Sequence, residues 1–354
     1  MPLIKRNVTT SAEVRKNLMD QAEEVCTEQP KKKFYTPIDV ENRVSTGSTL
    51  LDLAISGGRV RGGGIPGGIM MEIFGVSGCG KTALMVEIGA SIQNKGGVVD
   101  IIDPEARLDK EYARIYGLEL PKDRYHRMDL VEEVFDFIKE WKPENPKVVN
   151  MIGADSIAAL STALEMGEGD KRGQKKAKDL HSGCRTSART ISQANKLIVF
   201  TNQQLEGEYG ATTSGGKAVG FYSSLRLQVK NKGRIDKEKG YTHDTKKVIV
   251  KKSVGIESEV LVVKSSVDDL YRTAPLYIMS GIGIDDIRGN LQWLKEKTGN
   301  TKYDCFNKDY VALDQAVLYI EQNNMEKELR EKVIDVWESI ELQFKVDRKK
   351  KVRF

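Results

Sequence analysis

An eight-residue motif constrains the fold of this chain more than any other feature. Residues 75–82, Gly-Val-Ser-Gly-Cys-Gly-Lys-Thr, have the form G-x-x-x-x-G-K-[ST] of a phosphate-binding loop. An apolar run over 69–74 precedes the motif, and helix-favouring residues follow it over 83–87. These flanks predict the strand, loop and helix that the motif requires, whereas a glycine-rich turn with a surface lysine would not need them. We therefore expect a nucleoside triphosphate site.

Each position of the motif has a part in binding phosphate. Glycines let consecutive backbone N–H groups turn toward the ligand, and the following helix adds the positive end of its dipole. Lys81 is expected to reach the outer phosphates, and the Thr82 hydroxyl is expected to bind Mg²⁺. The residues predicted to contact the nucleotide phosphates are Gly75, Val76, Ser77, Gly78, Cys79, Gly80, Lys81 and Thr82.

Composition excludes several other classes of protein. The chain has 354 residues, with 56 Lys and Arg against 51 Asp and Glu, so its net charge of +5 does not by itself indicate an acidic partner. Its four cysteines are far apart, with no C-x-x-C pair, and its three histidines are scattered, which argues for a reducing compartment and against structural zinc. No run of about 18 apolar residues and no signal-peptide pattern occurs. We expect a soluble, cytoplasmic protein with no membrane partner.

Short apolar runs alternate with helical patterns through the middle of the chain. After the strand that precedes the motif, the runs that predict strands are 98–102, 148–152, 197–200 and 225–229. Strands separated by helices predict an α/β fold with a mostly parallel central sheet and helices on both faces. Further apolar runs predict antiparallel strands appended to that sheet, at 248–250, 259–263 and 275–279.

The two ends of the chain differ from this core. Apolar residues recur at helical spacing within 11–28, which predicts an N-terminal amphipathic arm and linker over 1–42. Taken alone, such a helix indicates packing on its own domain more than on a neighbour. The core is expected over 43–290, and a small α-rich C-terminal domain with a basic tail over 291–354.

Two acidic residues that follow predicted strands are candidates for the chemistry. Asp155 fits the carboxylate that phosphate-loop enzymes use to hold Mg²⁺, and the alternative is an ordinary strand end. Glu105 fits the group that activates water. The alternative for Glu105 is a helix-capping carboxylate, and chemistry alone leaves those two interpretations open.

In order and spacing, a series of motifs resembles the RecA family of DNA recombinases. The resemblance covers about residues 43–293 and is weaker in the C-terminal helices. It implies a RecA-type phosphate-loop ATPase core. The stretches that carry it are Ser45-Thr46-Gly47-Ser48, Leu51-Asp52, the phosphate loop, 102–109, Tyr112-Ala113-Arg114, 155–160, 167–170, 200–203, 213–216, 221–227 and 262–264.

The resemblance implies roles for single residues. In that family the glutamate matching Glu105 activates the attacking water, and the glutamine matching Gln203 senses the γ-phosphate at the root of a DNA-binding loop. The residues matching Asp109 and Tyr112 hold the adenine, the tyrosine by stacking, so ATP with Mg²⁺ is the expected nucleotide. The candidate catalytic residues are thus Lys81, Glu105 and Gln203, and the candidate metal ligands are Thr82 and Asp155.

The chain departs from the family pattern at several positions. Lys264 matches one of two family lysines that reach across a subunit interface to the neighbour's ATP, but Ser266 occupies the second position. Activation across the interface is then either weaker or supplied by Arg272. Gly220 replaces another family lysine, the second DNA loop is shorter, and the tail is basic where bacterial members are acidic. These departures are more typical of a bacteriophage-encoded relative, comparable to UvsX, than of a bacterial housekeeping member.

Basic residues crowd the segment between 167–173 and 204–216, the two stretches that match the family's DNA-binding loops. A basic run on a helix is usually a solvated face, but this position favours an electrostatic footprint for DNA. Arg189 and Lys196 belong to the same cluster. The predicted DNA-binding residues are Gly169, Arg172, Lys175, Lys176, Lys178, Arg185, Gly215 and Gly216.

The resemblance also implies a mechanism. A helical filament would assemble on single-stranded DNA, pair it with a homologous duplex and hydrolyse ATP, and the N-terminal arm would dock on the neighbouring subunit. Single-strand-binding and loader proteins are the other expected partners, and the location is the nucleoid, or the host cytoplasm if a phage encodes the chain. One alternative is a recombination accessory or mediator ATPase without strand exchange. Another, a helicase or clock-type ring ATPase, is disfavoured by the loop motifs at 168–170 and 215–216.

Overall fold

The computed structural model describes residues 42–162, 172–193, 195–207, 210–213, 217–243 and 246–344. For 172–174, 205–207, 210–212, 243 and 246 it describes the backbone alone. The predicted N-terminal arm and basic tail lie outside the described residues, as do Gly169, Gly215 and Gly216.

Helices and strands alternate along the described part of the chain. Its α-helices are α1 (Thr49–Ser56), α2 (Lys81–Asn94), α3 (Lys110–Ile115), α4 (Val131–Glu140), α5 (Arg172–Gln193), α6 (Ala218–Tyr222), α7 (Asp286–Thr298), α8 (Leu313–Gln322) and α9 (Glu326–Gln343). Its strands are β1 (Arg43–Val44), β2 (Ile65–Pro66), β3 (Ile69–Gly75), β4 (Val99–Ile102), β5 (Tyr125–His126), β6 (Asn150–Ala154), β7 (Lys196–Gly207), β8 (Gly210–Thr213), β9 (Leu225–His243), β10 (Lys246–Ser265), β11 (Thr273–Met279), β12 (Gly283–Ile284), β13 (Tyr303–Asp304) and β14 (Asp309–Tyr310). None of these helices combines the length and the apolar character needed to cross a bilayer.

Ten of the described strands form one sheet, in the order β12-β11-β10-β9-β3-β7-β6-β4-β5, with β8 paired to β7. β3 pairs in parallel with both β7 and β9, and β6 lies between β7 and β4, also in parallel. The strands from β9 to β12 pair antiparallel to one another. The predicted α/β fold class, with antiparallel strands appended to a mostly parallel sheet, is confirmed.

Helices cover both faces of this sheet because its central strands are apolar on both sides. Every residue of β3 is buried. On one face, Ile73 of β3 shares a hydrophobic cluster with Leu84 of α2 and Val333 of α9, so the C-terminal helices pack on the same core. On the other face, a second cluster joins Phe200 of β7 to Leu180 of α5. This covering leaves the carboxyl ends of the parallel strands as the edge where ligands of such sheets bind.

The apolar runs at 248–250 and 259–263 both belong to one strand, β10. β9 likewise continues past the predicted 225–229 as far as His243. The two strands pair antiparallel from Leu225 opposite Ser265 to His243 opposite Lys246. Hydrophobic periodicity does not reveal this length, since the second half of β9 is polar and its partner strand stabilises it.

Candidate nucleotide site

The phosphate loop runs from the end of β3 at Gly75 to the start of α2 at Lys81. Gly78 and Gly80 have φ angles of 72° and 97°, in the left-handed region that other residues rarely adopt. A Cβ at Gly80 would also lie 2.2 Å from Cδ1 of Ile278. Backbone conformation and lack of space therefore explain why glycine occupies this position.

The Lys81 ammonium lies along this loop. Its Nζ donates hydrogen bonds to the carbonyl oxygens of Gly75 at 3.1 Å and Val76 at 2.8 Å. Burial raises the pKa of the neighbouring Cys79 thiol, so that thiol is neutral at physiological pH. Within the described ranges no carboxylate forms an ion pair with Lys81, and its positive charge remains available to an anionic ligand.

A cavity of about 500 Å³ opens beside the loop, at the carboxyl ends of the parallel strands. β3 and β7 end side by side there, because Gly75 is in register with Gln203. The volume is typical of a small-molecule site. The predicted nucleotide-site residues that line the cavity are Ser77, Gly78, Gly80, Lys81, Thr82, Glu105, Asp109, Tyr112, Asp155 and Gln203.

Asp155 and Thr82 meet inside this cavity. Oγ1 of Thr82 donates a hydrogen bond to Oδ2 of Asp155 at 2.5 Å, and the Thr201 hydroxyl donates to Oδ1. Burial raises the pKa of Asp155; these hydrogen bonds oppose the rise, and the carboxylates of Asp103 and Glu105 add to it. An incoming cation would therefore be stabilised by a local excess of carboxylates.

The donor set suits Mg²⁺ bound together with a nucleotide. A hydroxyl from Thr82 and a carboxylate from Asp155 are the oxygen ligands that this ion prefers, with phosphates and water completing its shell. The described residues contain no group of three or more His, Cys, Asp and Glu arranged to hold a metal by themselves. The two predicted metal ligands thus fit an ion that arrives with the phosphates.

Glu105 is held firmly at the cavity, with its side chain 17% exposed. Oε1 accepts a hydrogen bond from the Ser156 hydroxyl at 2.8 Å, and Oε2 forms an ion pair with Arg107 at 2.7 Å. Asp155 and Gln203 line the same cavity. Fixed orientation beside the metal and phosphate positions is what a general base requires.

The predicted adenine residues lie around the start of α3. Asp109 is the N-cap of this helix, and its Oδ1 accepts a hydrogen bond from the Tyr112 N–H at 2.9 Å. The Tyr112 ring is 39% exposed, and its hydroxyl lies 2.7 Å from that of the buried Tyr116. The two ring centroids are 4.8 Å apart. Tyr116 therefore holds the Tyr112 ring in place, and the Tyr112 ring remains open to a planar ligand.

A chain of buried polar contacts extends from Gln203 into the sheet. The Gln203 N–H donates to Oδ1 of Asn202 at 2.9 Å, and Nδ2 of Asn202 donates to Oε1 of Glu72 at 2.9 Å. Oε2 of Glu72, which is fully buried, forms an ion pair with Nε of Arg226 at 2.6 Å. The backbone at Gln203 is thereby connected through Glu72 of the neighbouring strand β3 to Arg226 of β9, the next strand along.

Lys264 does not line this cavity. Its Nζ donates to the carbonyl oxygens of Gly220 at 3.0 Å and Phe221 at 2.5 Å, near the end of α6. The absence of a side chain at position 220 also has a local reason, because a Cβ there would lie 2.8 Å from Cζ of Arg226. A reach from Lys264 to a neighbouring subunit's nucleotide stays a prediction.

Arg272, the suggested substitute for the second lysine, is engaged within its own subunit. Its guanidinium forms ion pairs with Asp268 at 2.8 Å and Glu341 at 2.9 Å, and it lies 5.2 Å from the ring centroid of Trp337. These contacts fasten α9 to the loop between β10 and β11. Arg272 is therefore not displayed for contact with a nucleotide.

Helix α5, which begins at Arg172, presents part of the predicted DNA-binding set. Lys178 and Arg185 are exposed, and Arg189 is exposed one turn further along. Lys175 forms an ion pair with Asp179 at 3.0 Å. The helix thus has a basic exposed face, as the sequence predicts.

Two lysines of the same cluster are buried instead. Lys176 is 9% exposed and its Nζ donates to the carbonyl oxygen of Ala158 at 2.8 Å. Lys196 is 1% exposed and its Nζ donates to the carbonyl oxygen of Ile138 at 2.9 Å. Neither ammonium is displayed to a ligand, because each is buried and donates to a backbone carbonyl.

Several residues that contact the site were not identified from the sequence. Asn231 of β9 donates through Nδ2 to the Gly78 carbonyl oxygen at 3.3 Å, and Ser258 of β10 donates through Oγ to that of Cys79 at 2.9 Å. Thr201 and Ser156 hold the acidic residues described above. Thr201 and Ser156 lie within motifs that resemble the RecA family, which is a usable signal, whereas nothing in the sequence around Asn231 and Ser258 marks them.

Comparison with known proteins identifies the same family that the sequence motifs resemble. The family model of the RecA N-terminal domain matches residues 31–285. Protein RecA of Delftia acidovorans is 33% identical over 248 residues, which are 68% of this chain and 62% of that protein. Protein RecA of Wolbachia pipientis is 33% identical over 264 residues, covering 72% and 69% of the two chains. Protein RecA of Rickettsia canadensis is 32% identical over 318 residues, covering 83% and 85%.

The aligned part accounts for less than two thirds of the Delftia protein. Bacteriophage origin stays a prediction, since these matches do not bear on the source of the chain. The family match nevertheless extends over well more than half of the 354 residues and includes the whole cavity described above. This protein belongs to the RecA family.

Proposed function

We propose that this protein is an ATP-dependent recombinase that forms a helical filament on single-stranded DNA and catalyses homologous pairing and strand exchange. Hydrolysis of ATP would be stimulated by DNA. One observation carries the proposal: a single cavity joins the phosphate loop to Glu105, Asp155 and Gln203, and Gln203 leads directly into the β7–β8 hairpin. Membership of the RecA family supports the same conclusion.

The hydrolytic step follows from the residues of the cavity. Lys81 and the N–H groups of the loop would bind the ATP phosphates. Thr82 and Asp155 would hold Mg²⁺, which when bound neutralises charge on the phosphate oxygens. Glu105, oriented by the Ser156 hydroxyl, accepts a proton from the attacking water. The open face of the Tyr112 ring would stack on the adenine, with Asp109 fixing the start of its helix.

Coupling between nucleotide and DNA is proposed to run through Gln203. The strand continues from Gln203 to Gln204, which pairs with Thr213 of β8, so the hairpin is an extension of the phosphate-sensing strand. The predicted second DNA loop, 204–216, includes the end of β7 and all of β8. A contact between Gln203 and the γ-phosphate would therefore alter the position of that loop.

The other predicted parts complete the proposal. Lys264 would act on the ATP of a neighbouring subunit, and the arm over 1–42 would dock there. The domain boundaries at 43–290 and 291–354 are also retained as predictions. The residues proposed to hold DNA are Gly169, Arg172, Lys175, Lys178, Arg185, Gly215 and Gly216, with single-strand-binding and loader proteins as further partners.

Steady-state ATP hydrolysis with and without single-stranded DNA, at two salt concentrations, tests the proposal. We expect strong, salt-sensitive stimulation, because phosphate contacts release counterions. The variant Lys81→Ala should remove turnover and serves as the inactive control. Transfer of a strand from a homologous linear duplex to a circular single strand then tests exchange itself. Binding of ATP without DNA-dependent turnover would contradict the proposal and support an accessory ATPase.

A further inference from the structure

The pair of strands β9 and β10 extends well past the sheet. β3 pairs with β9 only over Leu225–Val229, and β11 pairs with β10 only over Gly255–Leu261. Beyond these limits the two strands pair only with each other among the described residues. We call 230–243 with 246–254 the arm. Its two-stranded part is 236–243 with 246–254, because 230–235 pair with 255–259 of β10, where β11 also flanks β10. At about 3.3 Å per residue, the two-stranded part is on the order of 25–30 Å long.

The arm concentrates positive charge. Residues 230–254 contain nine Lys and Arg against three Asp and Glu, whereas the net charge of the whole chain is only +5. The rest of the chain is therefore slightly acidic. Six of the nine cations lie on the two-stranded part, and such a concentration of a protein's excess charge is an electrostatic footprint of the kind that binds polyanions.

Most of these cations form no ion pair within the described part of the chain. Lys232, Lys237 and Lys251 form ion pairs with Glu259, Asp314 and Asp236, at 3.6, 3.1 and 3.5 Å respectively. Within the described part of the chain, no carboxylate forms an ion pair with five exposed cations of the arm: Lys230, Arg234, Lys239, Lys247 and Lys252.

The register of the arm places like charges together. Lys237 and Lys252 are directly opposite each other, which destabilises a strand pair. A two-stranded ribbon outside a larger sheet is already marginal in water. Folding stability does not account for these lysines, whereas an anionic ligand bound along the arm would relieve their repulsion.

We propose that the arm binds the phosphate backbone of duplex DNA, at a site separate from the predicted loops 167–173 and 204–216. The inference adds to the proposed function, because it assigns duplex binding to a part of the chain that no motif indicates. A two-stranded ribbon fits the major groove of B-form DNA, with its cations beside the phosphates. Exposed apolar side chains near its end, Val248, Ile249 and Val250, would contact sugars or base edges.

The test compares two full-length variants with equal loss of charge. The first carries Lys239→Gln, Lys247→Gln and Lys252→Gln in the arm. The matched control carries Lys122→Gln, Lys142→Gln and Lys147→Gln, three exposed lysines outside the arm. Affinity for a duplex and for a single-stranded oligonucleotide of the same length is measured by fluorescence anisotropy across a salt series, with thermal unfolding to verify that both variants fold.

We expect the arm variant to bind the duplex at least tenfold more weakly than the control at 0.1 M salt, with a salt slope reduced by about two to three. Binding to the single strand, and ATP hydrolysis stimulated by it, should stay within about twofold of the wild type. Equal duplex affinity of the two variants would overturn the proposal. So would a loss confined to the single strand, or a changed assembly state at unchanged duplex affinity, which would assign the arm to subunit contacts.

Failure of this inference is distinguishable from failure of the proposed function. The latter is decided by DNA-stimulated hydrolysis and strand exchange in the wild-type protein. Duplex binding by the arm is decided by the difference between the two variants, which needs no turnover.

Discussion

Asn231 and Ser258 face each other across β9 and β10, and together they hold two successive carbonyl groups of the phosphate loop. Because the peptide group is planar and trans, a carbonyl fixed on one side of the chain directs the next N–H to the other side. Holding the Gly78 and Cys79 carbonyls therefore orients the N–H groups of Cys79 and Gly80. A contact from outside the loop thus prepares its inner surface for phosphate.

This arrangement predicts the effect of Ser258→Ala. Its hydrogen bond to the Cys79 carbonyl is buried, and loss of such a bond costs about 1–2 kcal/mol. We expect KM for ATP to rise about 5- to 30-fold, while kcat changes little, because the loop is less ordered before binding. Steady-state kinetics provide the measurement, with Ser253→Ala on the same strand as control. An unchanged KM would show that the loop needs no external support.

The variant Glu105→Gln tests the general base. Glutamine keeps the size of the side chain and a hydrogen-bond acceptor for Ser156, but it does not take a proton from water. We expect kcat to fall by about 10²- to 10⁴-fold with ATP affinity largely retained. The matched control is Glu111→Gln, an exposed glutamate on α3 outside the cavity. Normal turnover by the first variant would rule out Glu105 as the base.

Breaking the ion pair between Glu72 and Arg226 is expected to lower the stability of the fold strongly. Arg226→Met would leave the fully buried Glu72 carboxylate without its cation, at a cost of about 3–5 kcal/mol in the free energy of unfolding. Adding Glu72→Gln should recover most of that loss, because the amide is neutral and its oxygen still accepts the hydrogen bond from Asn202. Urea denaturation measures both variants. A double variant as unstable as the single one would locate the loss in packing and not in charge.

The Glu87 carboxyl is expected to make the stability of the fold depend on pH. Burial raises its pKa from 4.5 to about 7, and the neighbouring Asp286 adds to the rise. The folded state therefore holds the proton more tightly than the unfolded state, and the contribution of this group to stability falls as pH rises from about 4.5 to 7. Glu87→Gln should match the wild type near pH 4.5 and exceed it by on the order of 1–3 kcal/mol at pH 8.

Urea denaturation at these two pH values tests this prediction. The hydrogen bond from the Ile284 N–H at 2.8 Å is retained by the amide oxygen, so the variant changes charge more than contacts. Glu111→Gln, at an exposed position, should show the pH dependence of the wild type. Equal stability of Glu87→Gln and wild type at pH 8 would mean that the Glu87 carboxylate ionises without penalty.

The nucleotide cavity could be predicted from sequence because its parts are local. A loop motif fixes Lys81 and Thr82, and acidic residues at the ends of apolar runs, such as Asp155, lie at the same edge in any parallel sheet. Order along the chain was therefore sufficient to bring these residues together. The roles of Gln203 and Tyr112 came from the family resemblance, since neither residue has a motif of its own.

Features that depend on partners distant in sequence were not predicted. Lys176 and Lys196 read as part of a basic surface, but their ammonium groups donate to the carbonyls of Ala158 and Ile138. Composition gives the number of charged residues, but it does not show whether a charged side chain is exposed or buried. The length of β9 was missed for a similar reason, because a polar strand is stabilised by its neighbour and leaves no apolar pattern.

The backbone edges of the arm have a further consequence. Outside the sheet, each of its strands has one edge with no neighbouring strand among the described residues, and such edges are templates for aggregation through strand addition. The register shifts around Ser253 and Ser258 twist the ribbon, and lysines along it repel a second copy. The same lysines would thus act as gatekeepers of solubility, and replacing them with apolar residues is expected to produce insoluble protein.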